Sequence, residues 1–63
     1  MEIEYNEMYD ILYIKLYDCC DAYDEENIKG ILINRDLYTE KIVGYEVWDF
    51  MKRIKGKEKI QLK

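Results

Sequence analysis

Apolar and polar positions alternate with a period of two in several stretches of this chain. Glu2-Ile3-Glu4-Tyr5 alternates cleanly, and residues 41–48 set Val43, Tyr45 and Val47 on one side of an extended backbone. Gly30-Ile31-Leu32-Ile33-Asn34 is a short apolar run behind a glycine and predicts another strand. Residues 10–18 admit two readings. As a helix, Met8, Leu12 and Leu16 form one stripe and Tyr5, Tyr9, Tyr13 and Tyr17 a second. As a strand, Leu12, Ile14 and Leu16 share one face, with Ile11, Tyr13, Lys15 and Tyr17 on the other. The β-branched and aromatic residues at 11, 13, 14 and 17 favour the strand. Residues 41–49 also align with residues 10–18 without gaps, as two strands under the same packing constraint would.

The predicted strands are separated by residues 6–9, the acidic stretch 18–27, and residues 35–40. Such lengths suit antiparallel connections, because a parallel crossover needs a dozen residues or more. A four-stranded meander is the simplest arrangement. After Trp48 the pattern changes. Asp49 can cap a helix through its carboxylate, Phe50, Met51 and Ile54 fall on one side, and Gly56 can end it after about two turns. Lys52, Arg53 and Lys55 near its C-terminal end suit the helix dipole. Ile60 and Leu62 then alternate with polar residues, as a frayed tail or a fifth strand at an edge would. The expected fold class is α+β, mainly β: an antiparallel sheet of about four strands with a short C-terminal helix.

Charge divides the chain unevenly. Residues 1–50 carry 13 acidic and 4 basic side chains, a net of −9, whereas residues 51–63 carry 6 basic and 1 acidic, a net of +5. No Gly/Ser/Pro-rich linker separates them, so residues 1–63 read as a single small domain, an acidic β body with a basic helix and tail. The longest apolar run is Ile11 to Ile14, so neither a membrane span nor a signal peptide is expected. The overall charge of −4 argues against a general nucleic-acid binder. A local alternative remains in Lys52, Arg53, Lys55, Lys57, Lys59 and Lys63, which can contact phosphates. The competing role for this basic tail is to lie against the acidic body of its own or a neighbouring chain.

Tyr5-Asn6-Glu7-Met8-Tyr9-Asp10-Ile11-Leu12-Tyr13-Ile14-Lys15-Leu16 resembles the opening Y-D-x-x-x-D-x-L-Y-I-x-L of the small prokaryotic family catalogued as domain of unknown function 2283. Gly30-Ile31-Leu32-Ile33-Asn34-Arg35-Asp36, followed by Ile42-Val43-Gly44-Tyr45-Glu46-Val47-Trp48-Asp49-Phe50, is similar to its second half. The resemblance covers roughly residues 5–51. It implies a small β-rich domain and carries over no catalytic residue. Asn6 and Asn34 stand where the family has acids, and its turn glycine between the last two strands is missing near Thr39 and Glu40.

Candidate chemistry is sparse. There is no histidine and no serine, which removes every Ser–His or Cys–His arrangement from this chain. Cys19 and Cys20 are adjacent, a spacing poor for a disulfide with each other and unlike a zinc site, so two reduced thiols in a cytoplasmic protein are expected. Asp18, Asp21, Asp24, Glu25 and Glu26 lack the alternation and the glycine of an EF-hand loop and read as solvated acids. Asp10, Glu46 and Asp49 have no evident cleft in which to act as acid or base. No enzyme activity, metal or cofactor is expected.

The apolar faces are more informative. Leu12, Ile14, Leu16, Val43, Tyr45 and Val47 make one apolar surface, and Ile11, Tyr13, Tyr17, Ile42 and Trp48 make the opposite surface apolar as well. A domain of about 60 residues buries only about 60% of its unfolded surface and has little stability to spare. The short helix can cover one surface; the other calls for a second polypeptide. The expected function is therefore protein–protein interaction, as a homodimer or with a small protein partner, through Tyr13, Tyr17, Ile42 and Trp48. One variant is an acidic, antitoxin-like partner of a small ribonuclease-like toxin, held by charge complementarity.

Overall fold

The computed structural model describes the backbone of residues 1–61 and the side chains through residue 55. Five strands, β1 (Glu2–Asn6), β2 (Ile11–Lys15), β3 (Ala22–Ile28), β4 (Ile31–Asp36) and β5 (Ile42–Trp48), precede one helix, α1 (Phe50–Gln61). All neighbouring strands are antiparallel, in one sheet of order β1-β2-β5-β4-β3. The fold is thus mainly β with a single helix. Of the two readings of residues 10–18, the strand is the one adopted.

The order is not the expected meander, because β5 lies between β2 and β4. The two segments that echo each other in sequence are neighbours, with Ile11 opposite Trp48 and Ile14 opposite Tyr45. Residues 16–21 carry the chain from β2 to the far edge. Six residues can span up to about 20 Å, enough for the three inter-strand gaps of about 4.8 Å each. The path is pinned by backbone bonds: Leu16 and Tyr17 N–H donate to Val43 O at 2.8 and 3.2 Å, and Leu37 N–H donates to Asp21 O at 3.0 Å.

The acidic stretch expected as a loop holds the edge strand β3. Each acid there has a neighbour to satisfy it. Asn34 Nδ2 donates to Asp24 Oδ1 at 2.6 Å, Arg35 Nε donates to Glu25 Oε1 at 2.7 Å, and Glu26 Oε2 accepts Gly30 N–H at 2.9 Å. Carboxylates along an exposed edge also discourage pairing with foreign strands. Propensity disfavours acids in strands, but here cross-strand partners outweigh it.

Helix α1 also departs from expectation. It runs through Gly56 to Gln61, so Gly56 does not end it and residues 57–61 form no edge strand; residues 62–63 lie outside the described residues. Nor does Asp49 cap it by its carboxylate, which lies 4.0 Å from Lys52 Nζ. Asp10 does so instead: its carbonyl accepts Phe50 N–H at 3.1 Å and its Oδ1 accepts Met51 N–H at 3.0 Å. Arg53 fixes the first turn further, donating from Nε to Trp48 O at 2.7 Å and from its guanidinium to Lys29 O.

These contacts attach α1 to the end of the sheet, where Phe50 meets the Tyr5 ring, and among the described residues no second layer packs over the sheet. The molecule measures 43 × 22 × 18 Å with a radius of gyration of 13.3 Å, against about 11 Å for a compact chain of this length. Among the described residues, the buried apolar side chains are two, Ile11 and Val43, at 8% and 9% exposure. The sheet is a single layer.

Candidate functional site

Register decides which side chains share a face, since directly opposed residues project to the same side. Leu12 opposes Val47 and Tyr5, Ile14 opposes Tyr45 and Ile3, and across β5 the series continues to Ile31 and Ile33. Ile28 joins it opposite Ile31. This side of the sheet is therefore apolar across all five strands. Its inner members, Leu12, Ile14, Ile31, Ile33, Tyr45 and Val47, are half-buried and flanked by neighbours in the sheet, and at one end Phe50 lies against Tyr5. Its outer members Ile3 and Ile28 are 61% and 60% exposed. The charges on it are Glu25 and Arg35, paired at 2.7 Å.

The opposite face carries Glu2, Glu4, Asp24, Glu26, Asp36 and Glu46, with Lys15 as its base. Asn34 sits between two of the acids, donating from Nδ2 to Asp24 Oδ1 at 2.6 Å and toward Glu46 Oε2 at 3.4 Å. A concavity of about 650 Å³ opens here, lined by Glu2, Glu4, Tyr13, Lys15, Tyr17 and Asn34 among others. Tyr13 and Tyr17 are thus brought together. Trp48 lies on the same face at its other end, its Nε1 donating to Glu46 Oε1 at 3.4 Å.

Ile42 does not join them. An extra residue in β5 interrupts the alternation, because Asn34 opposes Gly44 while Arg35 opposes Ile42. Ile42 therefore falls in step with Arg35, Ile33 and Ile31, on the apolar side. The four residues expected to form one contact surface are divided by this bulge.

Sequence reasoning found the Leu12/Ile14/Tyr45/Val47 surface but assigned it or its opposite to the helix. It missed the extension to Ile3 and Tyr5 on β1 and to Ile31 and Ile33 on β4. The period-two alternation of Glu2-Ile3-Glu4-Tyr5 was the available signal; the strand order that joins these rows was not.

The Cys19 thiol is pushed above its ordinary value, first by loss of solvent and then by its contact with Asp36 at 3.5 Å, which disfavours the thiolate. Both cysteines are free. Among the described residues no three His, Cys, Asp or Glu side chains converge to hold a metal ion, and no helix is long and apolar enough to cross a membrane. Of the basic tail, Arg53 is engaged with the backbone of the sheet's end. Lys57, Lys59 and Lys63 lie outside the described side chains. Comparison with family models, with curated proteins and with solved structures returns no match for this chain.

Proposed function

We propose that this chain is a protein–protein interaction module that presents the apolar face of its sheet to another polypeptide. The observation that carries this reading is the amount of surface left open. The chain exposes 5385 Å² for a mass of 7.8 kDa, whereas a compact monomer of that mass exposes about 4,400 Å². A sheet left as a single layer, with a helix attached at its end, favours such an excess. The two free, adjacent thiols fit a reducing compartment, so a cytoplasmic location belongs to the reading, as does the absence of catalysis. The resemblance to domain of unknown function 2283 agrees with it, since the shared motifs are strand alternations rather than catalytic constellations.

The test is crosslinking in the producing cell from a photoreactive residue placed at Ile33 or Val47. A protein adduct of defined mass is expected from either position. A face that forms no adduct and freely binds an apolar dye overturns the proposal.

A second reading rests on the other face. Six carboxylates against one lysine make it complementary to a basic protein, in the manner of an acidic, antitoxin-like subunit. Association there should accelerate at low salt and weaken when Glu4 and Glu46 are changed to Gln; salt-independent binding counts against it. Contact of the basic tail with nucleic acid has less support, because Arg53 is already committed to the fold.

A further inference from the structure

We propose that the occupant of the apolar face is a second copy of this chain, packed sheet against sheet about a two-fold axis near Tyr45. The proposal rests on the interaction-module reading and names the partner of that same surface. Charge selects the partner first. A two-fold interface sets identical patches against each other, so any unbalanced charge meets its like. The apolar face has its acid and base already neutralised as the Glu25–Arg35 pair, at 2.7 Å. The opposite face, with Glu2, Glu4, Asp24, Glu26, Asp36 and Glu46 against Lys15, would repel a copy of itself. Self-association is therefore directed to one side of the sheet.

Area agrees. Five strands about 4.8 Å apart and five to seven residues long give a face of about 20 by 20 Å, or about 400 Å² in projection per copy. Side-chain relief raises the accessible area above the projected one. The pair thus approaches the 1,000–1,200 Å² or so at which specific interfaces begin. The chain's excess exposure over a compact monomer of its mass, about 1,000 Å², leaves room for an interface of that size. Two sheets stacked about 10 Å apart would convert two single layers into one sandwich with an interior. The half-buried Leu12, Ile14, Ile31, Ile33 and Val47 would then be covered, which no second layer among the described residues does. Both acidic faces would point outward, making the assembly bivalent toward a basic partner.

Tyr45, on the central strand, provides the test. Sedimentation of the purified chain at micromolar concentration should give the mass of two copies. Tyr45→Glu and Tyr45→Lys should each weaken self-association on the order of 100-fold or more, because like charges meet at the axis. An equimolar mixture of the two variants should restore a two-chain particle containing one of each. If a variant is unfolded alone, recovery of the β circular dichroism on mixing supports the pairing equally. A wild type that sediments as one chain overturns the proposal. So do variants that stay paired while Trp48→Glu separates them, or a mixture that does not pair. A single-chain wild type that still forms adducts with a different protein from Ile33 removes the second copy and keeps the interaction-module reading. Loss of both adduct and pairing removes the two together.

Discussion

Asp10 holds the N-terminus of a helix that begins forty residues further along the chain. Its Oδ1 accepts Met51 N–H at 3.0 Å and the Tyr5 hydroxyl at 2.6 Å, and the Tyr5 ring meets Phe50 with centroids 6.0 Å apart. The first hairpin thereby anchors the last element. Both partners titrate in consequence. The Asp10 carboxyl is held below its ordinary 3.8, chiefly by the Tyr5 hydroxyl and then by Met51 N–H. The Tyr5 phenol is pushed up to about 12 by the same hydrogen bond. For Asp10, whose folded form releases its proton more readily, the stabilisation is complete above the unfolded value and is lost as pH falls through the lower folded one. For Tyr5 the sign reverses: stabilisation is complete below its ordinary 10.0 and is lost as pH rises toward 12. Tyr5→Phe should therefore melt below wild type between pH 5 and 9, with the gap closing at both extremes. A gap that does not vary with pH contradicts the bond. Asp10→Ala should cost more, about 4–8 °C in Tm, because a cap is lost as well.

Glu40 stands in the turn between β4 and β5. Its φ is 63°, in the left-handed region that a residue with a Cβ adopts at a cost. The turn imposes this: Asp36 Oδ1 accepts Tyr38 and Thr39 N–H at 2.8 and 3.0 Å, and Glu40 N–H closes on Asp36 O at 2.9 Å. Glu40→Gly should raise stability by up to about 1 kcal/mol, the relief of that strain less the entropy a glycine adds to the unfolded chain. Urea titration reads this directly, and a lower midpoint for the variant argues against the strain.

What the sequence made legible was local. Period-two alternation at 2–5 and 41–48 and the apolar run at 31–33 mark strands because each has neighbours that reward it, and Gly30 marks a turn with its φ of 84°. The strand 22–28 was hidden, since Asp24, Glu25 and Glu26 are strand-like only once Asn34, Arg35 and the Gly30 amide stand opposite them. The length of α1 was hidden as well, because Gly56 does not carry the left-handed turn that would end it. The assignment of faces failed at Ile42 for a single reason, an extra residue in β5 that no local pattern announces. The cover expected from Phe50, Met51 and Ile54 required knowing where the helix points, and that is set by Asp10 and Arg53.

Asn34 separates two carboxylates on the strands that flank its own, and an acid in its place would complete a row of three with Asp24 and Glu46. Asn34→Asp removes two donated hydrogen bonds and adds a like charge on the acidic face. The variant should melt below wild type at pH 7, recover as pH falls toward 4, and gain from millimolar calcium where wild type gains nothing. Equal melting of the two proteins at pH 7 contradicts the bridging role of the amide.

Gly44 lies buried at the middle of the sheet, on β5 between β2 and β4. A Cβ there would stand 2.6 Å from Ile14 O and 3.1 Å from Asn34 Oδ1. The second contact is with a side chain that can shift, but the first is with backbone held in the β2–β5 ladder. Relief would require opening that ladder beside the bulge at Val43, where the chain also receives the Leu16 and Tyr17 amides. Gly44→Ala should therefore cost about 1–3 kcal/mol, the range for overpacking an interior site. For 63 residues a total stability of about 3–9 kcal/mol is expected, so the loss is a large share. If folding is coupled to pairing of two copies, the denaturation midpoint also depends on protein concentration, and the comparison must be made at equal concentration. A variant with an unchanged urea midpoint under those conditions would show that β2 and β5 have slack at this point.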